Sequence, residues 1–591
     1  MVALTAAVWL GARLALPVPT VVALIAVLAA LLGRRPRLVI LAAAALASGL
    51  AAVGLAGLDS PRPARVDGPV TLLSDPEATE SGQRVEVRAG RHHLEAWARG
   101  GAAGALVERL GGERVWVVGR VRPVPDRADW RVARHLAGVL EIDRVERWEG
   151  GDPASRAANR LRRTLADGAS GLPDDTRALF AGFVLGDDRG RSALVTDDFR
   201  GSGLSHLLVV SGQNVAFVLA LAEPLLRRGR LGARLLATLA LLGAFALVTR
   251  FEPSVLRASA MAAVAVAAAT WGRDASGLRV LGLAVAGVIL LDPLLVRSLG
   301  FQLSVAASLG IVVLAARLAA ALPGPAWLRR PVAVSLAAQV GVAPLLLGAF
   351  GGLPVVAPLA TLAAAPAAGP ISTWGLTAGL VAGVVPGLAG PLHVPTRLLV
   401  GWVAGVARIA VALPLGHLGP VAFAAVVILG LAAVWTRRTG RHRMTGWAVV
   451  ALVGMLLVPG LRLLTVGPPV RVGVAGDAVL WRSEGRALLV VGGRVGEEDL
   501  LAGLREAGVT RLDAVVCRTD AAALHRVVRT IEARFGSVVV LAPPGSPPQG
   551  AVVPPDGSHL ELGDLELEVR VDDGELLVEA VPGGGTDEGP V

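Results

Sequence analysis

The sequence predicts a polytopic α-helical membrane protein with two small soluble domains: an OB-type β-barrel near the N-terminus and an α/β domain at the C-terminus. Two observations predict it. Of 591 residues, 53% are hydrophobic and mean hydropathy is +0.62, well above a soluble globular chain. The apolar runs also give way twice, at 60–150 and 470–583, to charged, Gly-rich stretches with strand-like alternation.

Composition narrows the chemistry. The chain has no Lys and no Tyr, so its 57 basic residues are all Arg and carry the net charge of +10. Guanidinium groups suit phosphate, because a planar fork can give two hydrogen bonds to one anion; basic cytoplasmic loops account for the charge equally well. Without Lys, the G-x-x-x-x-G-K-[ST] loop of NTPases cannot be built, which argues against ATP hydrolysis by this chain. A single Cys, Cys517, excludes an intramolecular disulfide and a Cys-rich metal site.

Residues 1–58 are expected to be N-terminal membrane helices. The run 3–33 is broken by Arg13 and Pro17 and reads as two short helices; Arg34, Arg35 and Arg37 form a cytoplasmic loop, and a third helix at 38–57 leads outward. No cleaved signal peptide is expected, since a second span follows at once. In residues 60–150 the stretch ERVWVVGRVR places Arg114, Trp116, Val118, Arg120 and Arg122 on one strand face and Val115, Val117, Gly119 and Val121 on the other; Arg84 and Arg88 alternate with Val85 and Val87 in the same way. Arg on phosphates with Trp116 under a base would suit single-stranded nucleic acid, and an ordinary solvated face fits the same pattern. Residues 153–200 read as amphipathic interfacial helices, whose Arg-rich faces would meet anionic lipid.

Residues 201–465 form the main membrane domain. Basic loops at 227–230, 329–330 and 437–443 read as cytoplasmic, which requires an even number of crossings between any two. Five apolar segments fall between 331 and 436, so one is expected to be re-entrant; GLPVVAPLATLAAAPAAGP, with Pro354, Pro358, Pro366 and Pro370, is the candidate. The last helix then delivers residues 470–583 to the outer side, with RALLVVGG and LDAVVCRTD as buried strands and LLAGLREAG as a helix between them. Residues 584–591 read as a disordered tail.

The candidate transport residues centre on Gly201 to Ala222, where Ser202, Ser205, His206, Ser211, Gln213 and Asn214 sit in apolar sequence and must face protein or water. His206 and Gln213 would share one helix face, Ser211 and Asn214 a neighbouring one, with Gly212 interrupting the helix. Adjacent Ser205 and His206 point about 100° apart and cannot form a nucleophilic dyad, so a polar lining is expected and no catalytic residue. Arg257 lies inside an expected span, where a charge costs about 2.5–3.5 kcal/mol; a pore phosphate contact and snorkelling to the interface explain it equally. Gln302 and Gln339 would hydrogen-bond between helices or to a passing backbone. Glu223 and Asp292, beside prolines near helix ends, read as interfacial.

Several stretches together resemble the ComEC competence family of DNA-internalisation channels. Ser202 to Val215, SGLSHLLVVSGQNV, is similar to that family's SGLSHLLAISGLHV; PSVLRASAMA at 253–262, DPLLVRSLGFQLSVAASLGI at 292–311 and AAQVGVAPLLLGAFGGLPVVAPLA at 337–360 resemble its other membrane motifs in the same order. The resemblance implies a bacterial multi-pass plasma-membrane channel passing single-stranded DNA inward, an extracytoplasmic OB-type domain and a C-terminal metallo-β-lactamase-like domain, both on the outer side. Its implied partners are a cytoplasmic helicase-like motor and an extracytoplasmic DNA receptor, besides membrane lipid and a possible homo-oligomer. The sequence departs from the pattern where the metal ligands belong: VGVAGDA keeps Gly476 and Asp477, Val490–Val491–Gly492–Gly493 replaces VDGG, and Cys517 to Ala523, with Asp520 but no His, replaces S-H-x-x-x-D-H. Neither a metal nor another cofactor is therefore expected, because His525 and Asp520 alone cannot lower the pKa of a bound water. Gln213 and Asn214 stand where the family has Leu and His, so a proton carrier at that point is lost. Two alternatives remain from other classes: a membrane-anchored metallohydrolase or nuclease, and a transporter of another anionic or lipid-linked substrate.

Overall fold

The computed structural model describes the chain except residues 60–62, 80–81, 124–127, 210–211, 274–275, 414, 465–469, 494, 546, 564, 573 and 581–591. The expected tail at 584–591 thus lies outside the described residues. Two compact bodies make up the rest. One comprises Met1–Gly190, His206–Gly351 and Thr361–Val403; the other comprises Arg191–Ser205, Gly352–Ala360 and Ala404–Val591.

In the first body the N-terminal run forms α1 (Val2–Leu14) and α2 (Thr20–Leu32), split where Pro17 and Pro19 remove backbone donors. After the basic turn, Pro36 opens α3 (Pro36–Ala56), the helix position that tolerates proline best. The soluble stretch follows as β1 (Ala64–Leu72), β2 (Glu77–Thr79), β3 (Gly82–Ala89), β4 (His92–Ala98), α4 (Gly100–Leu106), β5 (Arg114–Pro123), α5 (Asp129–Ala133) and β6 (Leu136–Glu149). Its strands form one sheet in the order β1-β5-β6-β4-β3-β2, with β4 and β6 parallel and the other neighbours antiparallel. The expected five-strand barrel is corrected to this six-stranded sheet. Only Thr71 with Arg88 and Leu72 with Val87 join β1 to β3, because β2 occupies the other end of the β3 edge, pairing Glu77 with Arg84. The period-two reading of β5 holds, with Val115, Val117 and Val121 buried and Arg114, Arg120 and Arg122 exposed. Val118 departs from its expected outward face and is buried, where the pairing with β6 bulges on either side of it.

Asp152 caps α6 (Pro153–Gly168) by accepting from the Ala154 and Ser155 amides, and α7 (Asp174–Leu185) follows. These helices were expected at the lipid surface, yet their apolar sides face protein: Ala158 and Leu165 pack with Phe180 and Val184, and with Leu376 and Leu380. Among the described residues between 150 and 205, no large hydrophobic side chain is exposed. Gly168 seats its backbone directly against Gly379 and Gly383, a contact that any side chain would prevent. Next come α8 (Ala193–Gly201), which belongs to the second body, and the short α9 (Ser205–Leu208).

The membrane helices are α10 (Gly212–Leu226), α11 (Leu231–Val248), α12 (Pro253–Thr270), α13 (Gly277–Leu291), a 3-10 turn Pro293–Arg297, α14 (Leu299–Ala321), α15 (Ala326–Phe350), α16 (Ala357–Val384), α17 (Ala389–Ala412), α18 (Pro420–Arg438) and α19 (His442–Leu464). Among the described residues, six helices are long and apolar enough to cross a membrane: α3, α12, α14, α15, α17 with its leading turn, and α18. The expected re-entrant piece is not a separate segment. Its sequence runs on into α16, one helix of 28 residues with Pro366 and Pro370 inside it. Trp402 donates to the Ala363 carbonyl in the turn that Pro366 disturbs, one of the ways in which neighbouring helices satisfy backbone freed by proline. The five expected segments between 331 and 436 thereby become four helices, of which α15, α17 and α18 are long and apolar enough to cross a membrane.

The second body carries the C-terminal domain: β9 to β13 (Val470–Ala475, Ala478–Ser483, Arg486–Val491, Ala514–Cys517, Val539–Leu541), with α20 (Glu497–Glu506) and α21 (Ala522–Phe535), then β14 to β16 (Ser558–Leu562, Leu565–Asp572, Glu575–Ala580). A five-stranded sheet, β13-β12-β11-β10-β9, has its three strands β11, β12 and β13 parallel. One face is covered by helices through Leu489, Val515, Leu504 and Ile531; the other meets the three-stranded sheet through Leu488, Val516, Leu567 and Leu576. The strands and helix read from sequence are all present.

Candidate functional site

The polar stretch that interrupts the apolar sequence is a broken helix. After α8, Gly203 takes a positive φ of 75°, α9 makes a single turn, and α10 starts at Gly212. The helix face expected to align His206 with Gln213 therefore does not form; both residues are exposed, as is Ser205. Ser211 lies outside the described residues. Ser202 is buried and donates to the Phe199 carbonyl. Asn214 is buried too, donating from Nδ2 to the Phe183 carbonyl at 3.0 Å and accepting from Ser372 Oγ at 3.2 Å. A cavity of about 10 Å³ adjoins it, lined by Phe217, Phe245, Ser372 and Thr373 among others, room for about one water.

Arg257 reaches this break from α12. Its guanidinium is buried, donates from Nε to Ser304 Oγ at 2.7 Å and approaches Met261 Sδ at 3.1 Å, with no carboxylate partner among the described residues. An ideal Cβ at Gly212 would stand 2.7 Å from its Nη2 and 3.0 Å from the Ala258 Cβ, so a side chain there would press the guanidinium and α12 away from the start of α10. Gln302 does not bridge helices: its Nε2 donates at 2.9 Å to the Val296 carbonyl of the preceding 3-10 turn. Gln339 is half-buried on α15. Glu223 pairs with Arg227 on the surface, and Asp292 caps the turn at Leu294.

On the β5 and β3 faces the expected cationic stripe is largely neutralised. Arg84 pairs with Glu77 and lies 3.8 Å from Glu95, Arg120 lies 3.7 Å from Asp143, and Arg122 lies 3.0 Å from Glu141. Trp116 already holds the Arg147 guanidinium 3.9 Å above its ring, where a base would stack. Arg88 and Arg114 are exposed.

In the C-terminal domain, Asp477 abuts Gly492 at the end of β11, Thr519 lies near Gly493, and Asp520 against Gly545. Asp477 Oδ1 and Thr519 Oγ1 are buried without a hydrogen-bond partner. Among the described residues no three His, Cys, Asp or Glu side chains converge on one point. The same body binds the segment that leads into the broken helix. Asp197 of α8, 2% exposed, pairs with Arg505 and with Arg534 at 3.3 Å; Asp198 pairs with Arg534 at 2.7 Å, and Arg200 with Glu498 at 3.3 Å.

Sequence reading missed a buried charge network in the first body. Arg162, 3% exposed, donates to Asp75 at 2.6 Å, to Asp187 at 3.2 Å and to the Val248 carbonyl at 2.8 Å. Arg250 binds Asp75 and Asn159, and Arg189 binds Asp187. Burial opposes ionisation of Asp75, but Arg162, Arg250 and Arg189 outweigh it and hold the carboxyl near 2. This network ties the end of β1 to α6, to the loop after α7 and to the α11–α12 turn. Its signal in sequence was the pairing of an Arg inside amphipathic α6 with the acidic LGDDRG turn. A second tie runs from Asp129, which bridges Arg13 and Arg297, to His135, whose Nε2 lies 3.1 Å from Asp292.

The sequence model of the family described as Competence protein matches residues 183–441. That region contains Asn214, Arg257 and the whole broken-helix site. No characterised protein and no solved structure matches the chain.

Proposed function

We propose that this chain is a membrane channel that passes single-stranded DNA into the cell during DNA uptake. The family match over 183–441 supports a role in competence. The observation that carries the finer reading is Arg257: a guanidinium buried at a helix break, without a carboxylate among the described residues, is a charge poised for a phosphate that is not part of the protein. A polyanion cannot cross hydrocarbon, so the path must offer contacts weak enough to release it. The β domain, a six-stranded sheet and not the expected barrel, is read as related to the OB type on the strength of its parallel β4–β6 pair and the short β1–β3 contact. The C-terminal domain is read as a metallo-β-lactamase-like relic without hydrolytic activity, kept to hold α8. Both are placed on the outer side of the plasma membrane, with a cytoplasmic helicase-like motor and an external DNA receptor as partners. The test is recovery of labelled single strands from the cytoplasm of cells lacking the gene. The wild-type chain restores them and Arg257→Ala does not; internalisation unchanged by the deletion would overturn the channel reading and favour another transported anion.

A further inference from the structure

Arg109, Arg163 and Arg177 meet at a second cleft that neither the sequence motifs nor the family match assigns. It opens between the β domain and α6–α7, holds about 540 Å³, and is lined by five arginines against three carboxylates. That volume falls in the range of specific ligand pockets, about 300–1,000 Å³. Three observations point to a ligand. Arg162, almost fully buried at its wall, leaves Nε without a hydrogen-bond partner, and Arg109 leaves Nε and Nη1 so. At the mouth, Arg163 and Arg177 are half exposed. Arg163 pairs with buried Glu113, which it can keep while its outer nitrogens face the cleft. Arg177 is held by the Ser170 carbonyl at 3.4 Å and by the solvated Asp174, a surface pair that a phosphate can displace at little cost. Trp148, 48% exposed at the end of β6, stands at the rim with Arg109 stacked 4.0 Å over its ring.

We propose that this cleft binds the phosphodiester backbone of a single nucleic-acid strand, Arg163 and Arg177 taking the phosphates and Trp148 stacking a base. The proposal rests on the channel reading and moves the receiving surface from the β5 face, where Trp116 is only partly exposed, to the cleft beside the membrane helices, where Trp148 is 48% exposed and leaves the ring face opposite Arg109 for a base. A lipid surface fits less well, since α6 and α7 expose no large apolar side chain to enter a bilayer. Arginines over a concave wall with an aromatic at the rim are the arrangement by which single strands are held without regard to sequence.

The test uses the full chain in nanodiscs of zwitterionic lipid and a fluorescent oligothymidylate, followed by anisotropy across a salt series. The double variant Arg163→Gln, Arg177→Gln should weaken binding about tenfold near 0.1 M salt and reduce the salt slope by about 1.4, about 0.7 per phosphate contact on a single strand. Because Glu113 loses a partner in that variant, a second measurement uses the wild-type chain: 5-iododeoxyuridine oligonucleotide photo-crosslinking should map to Trp148. Wild-type affinity in the variant, or a crosslink confined to Trp116, overturns the cleft while leaving the channel reading intact. If the wild-type chain binds no oligonucleotide, both fall. Should it bind anionic vesicles through Arg163 and Arg177 instead, the cleft is a lipid site and the proposal is wrong.

Discussion

Asn214 and Arg257 were legible as residues because each sets a polar group in apolar sequence, where physics demands a partner. What could not be read was which partner. The bond from Asn214 to the Phe183 carbonyl crosses 31 residues, and the Arg257 contact to Ser304 crosses 47. Trp148 and Arg109 were invisible for the opposite reason: a Trp and an Arg in a charged stretch break no rule until folding places them at one cleft. Two residue-scale outcomes follow from the geometry. Replacing Gly212 with Ala drives a Cβ into Ala258 and the Arg257 guanidinium; it should lower stability by about 1–3 kcal/mol, the usual range for overpacking, read as a fall in melting temperature in nanodiscs, and should impair uptake with Arg257→Ala. Asp75→Asn removes one of the two carboxylates holding buried Arg162. Breaking one side of such a pair costs about 3–5 kcal/mol, and a variant as stable as wild type would show that the network is idle.

Among elements, the sequence placed strands and most helices because period two and apolar runs are local signals. It misjudged α16 because Pro366 and Pro370 break a helix by local rules, and the Trp402 donor that eases the disturbed turn comes from α17, 39 residues away. It misjudged α6 in the same way, since an amphipathic helix does not say whether protein or lipid covers its apolar side. The pH behaviour of the ties between elements follows from their carboxylates and His135. Hydrogen bonding to Asp292, together with its charge and against burial, raises the His135 pKa. A raised pKa means the tie is complete below about 6.5, the ordinary histidine value, and is lost as pH rises through the folded value. Protection factors of residues 129–137, which remove the intrinsic rise of exchange with pH, should accordingly be higher at pH 6 than at pH 9, and His135→Gln should abolish that difference. Asp75 has the opposite sign: its pKa is depressed from 3.8 to about 2, so its contribution is complete above 3.8 and lost as pH falls toward 2.

At the scale of the whole molecule, charge placement determines sidedness, and the single cysteine makes it measurable. The basic loops at 34–37, 227–230, 329–330 and 437–443 are expected to lie on one side. From the first of them α3 leads to the β domain, and from the last α19 leads to the C-terminal domain, so each domain is expected outside. Cys517 will not obscure a labelling test: it is buried, and burial pushes its thiol up to about 12, which leaves almost no thiolate at neutral pH. Single cysteines introduced at exposed Arg88 and Glu561 should therefore react with an impermeant maleimide in intact cells, while cysteines at exposed Arg330 and Arg437 should react only after permeabilisation. Labelling of the Glu561→Cys chain only after permeabilisation would place the C-terminal domain inside and require one helix fewer or more between Arg330 and β9. In that event α8, which the same body binds through Asp197 and Asp198, would be inside as well, and the strand could not enter along the β domain and cross at Arg257 in the order proposed.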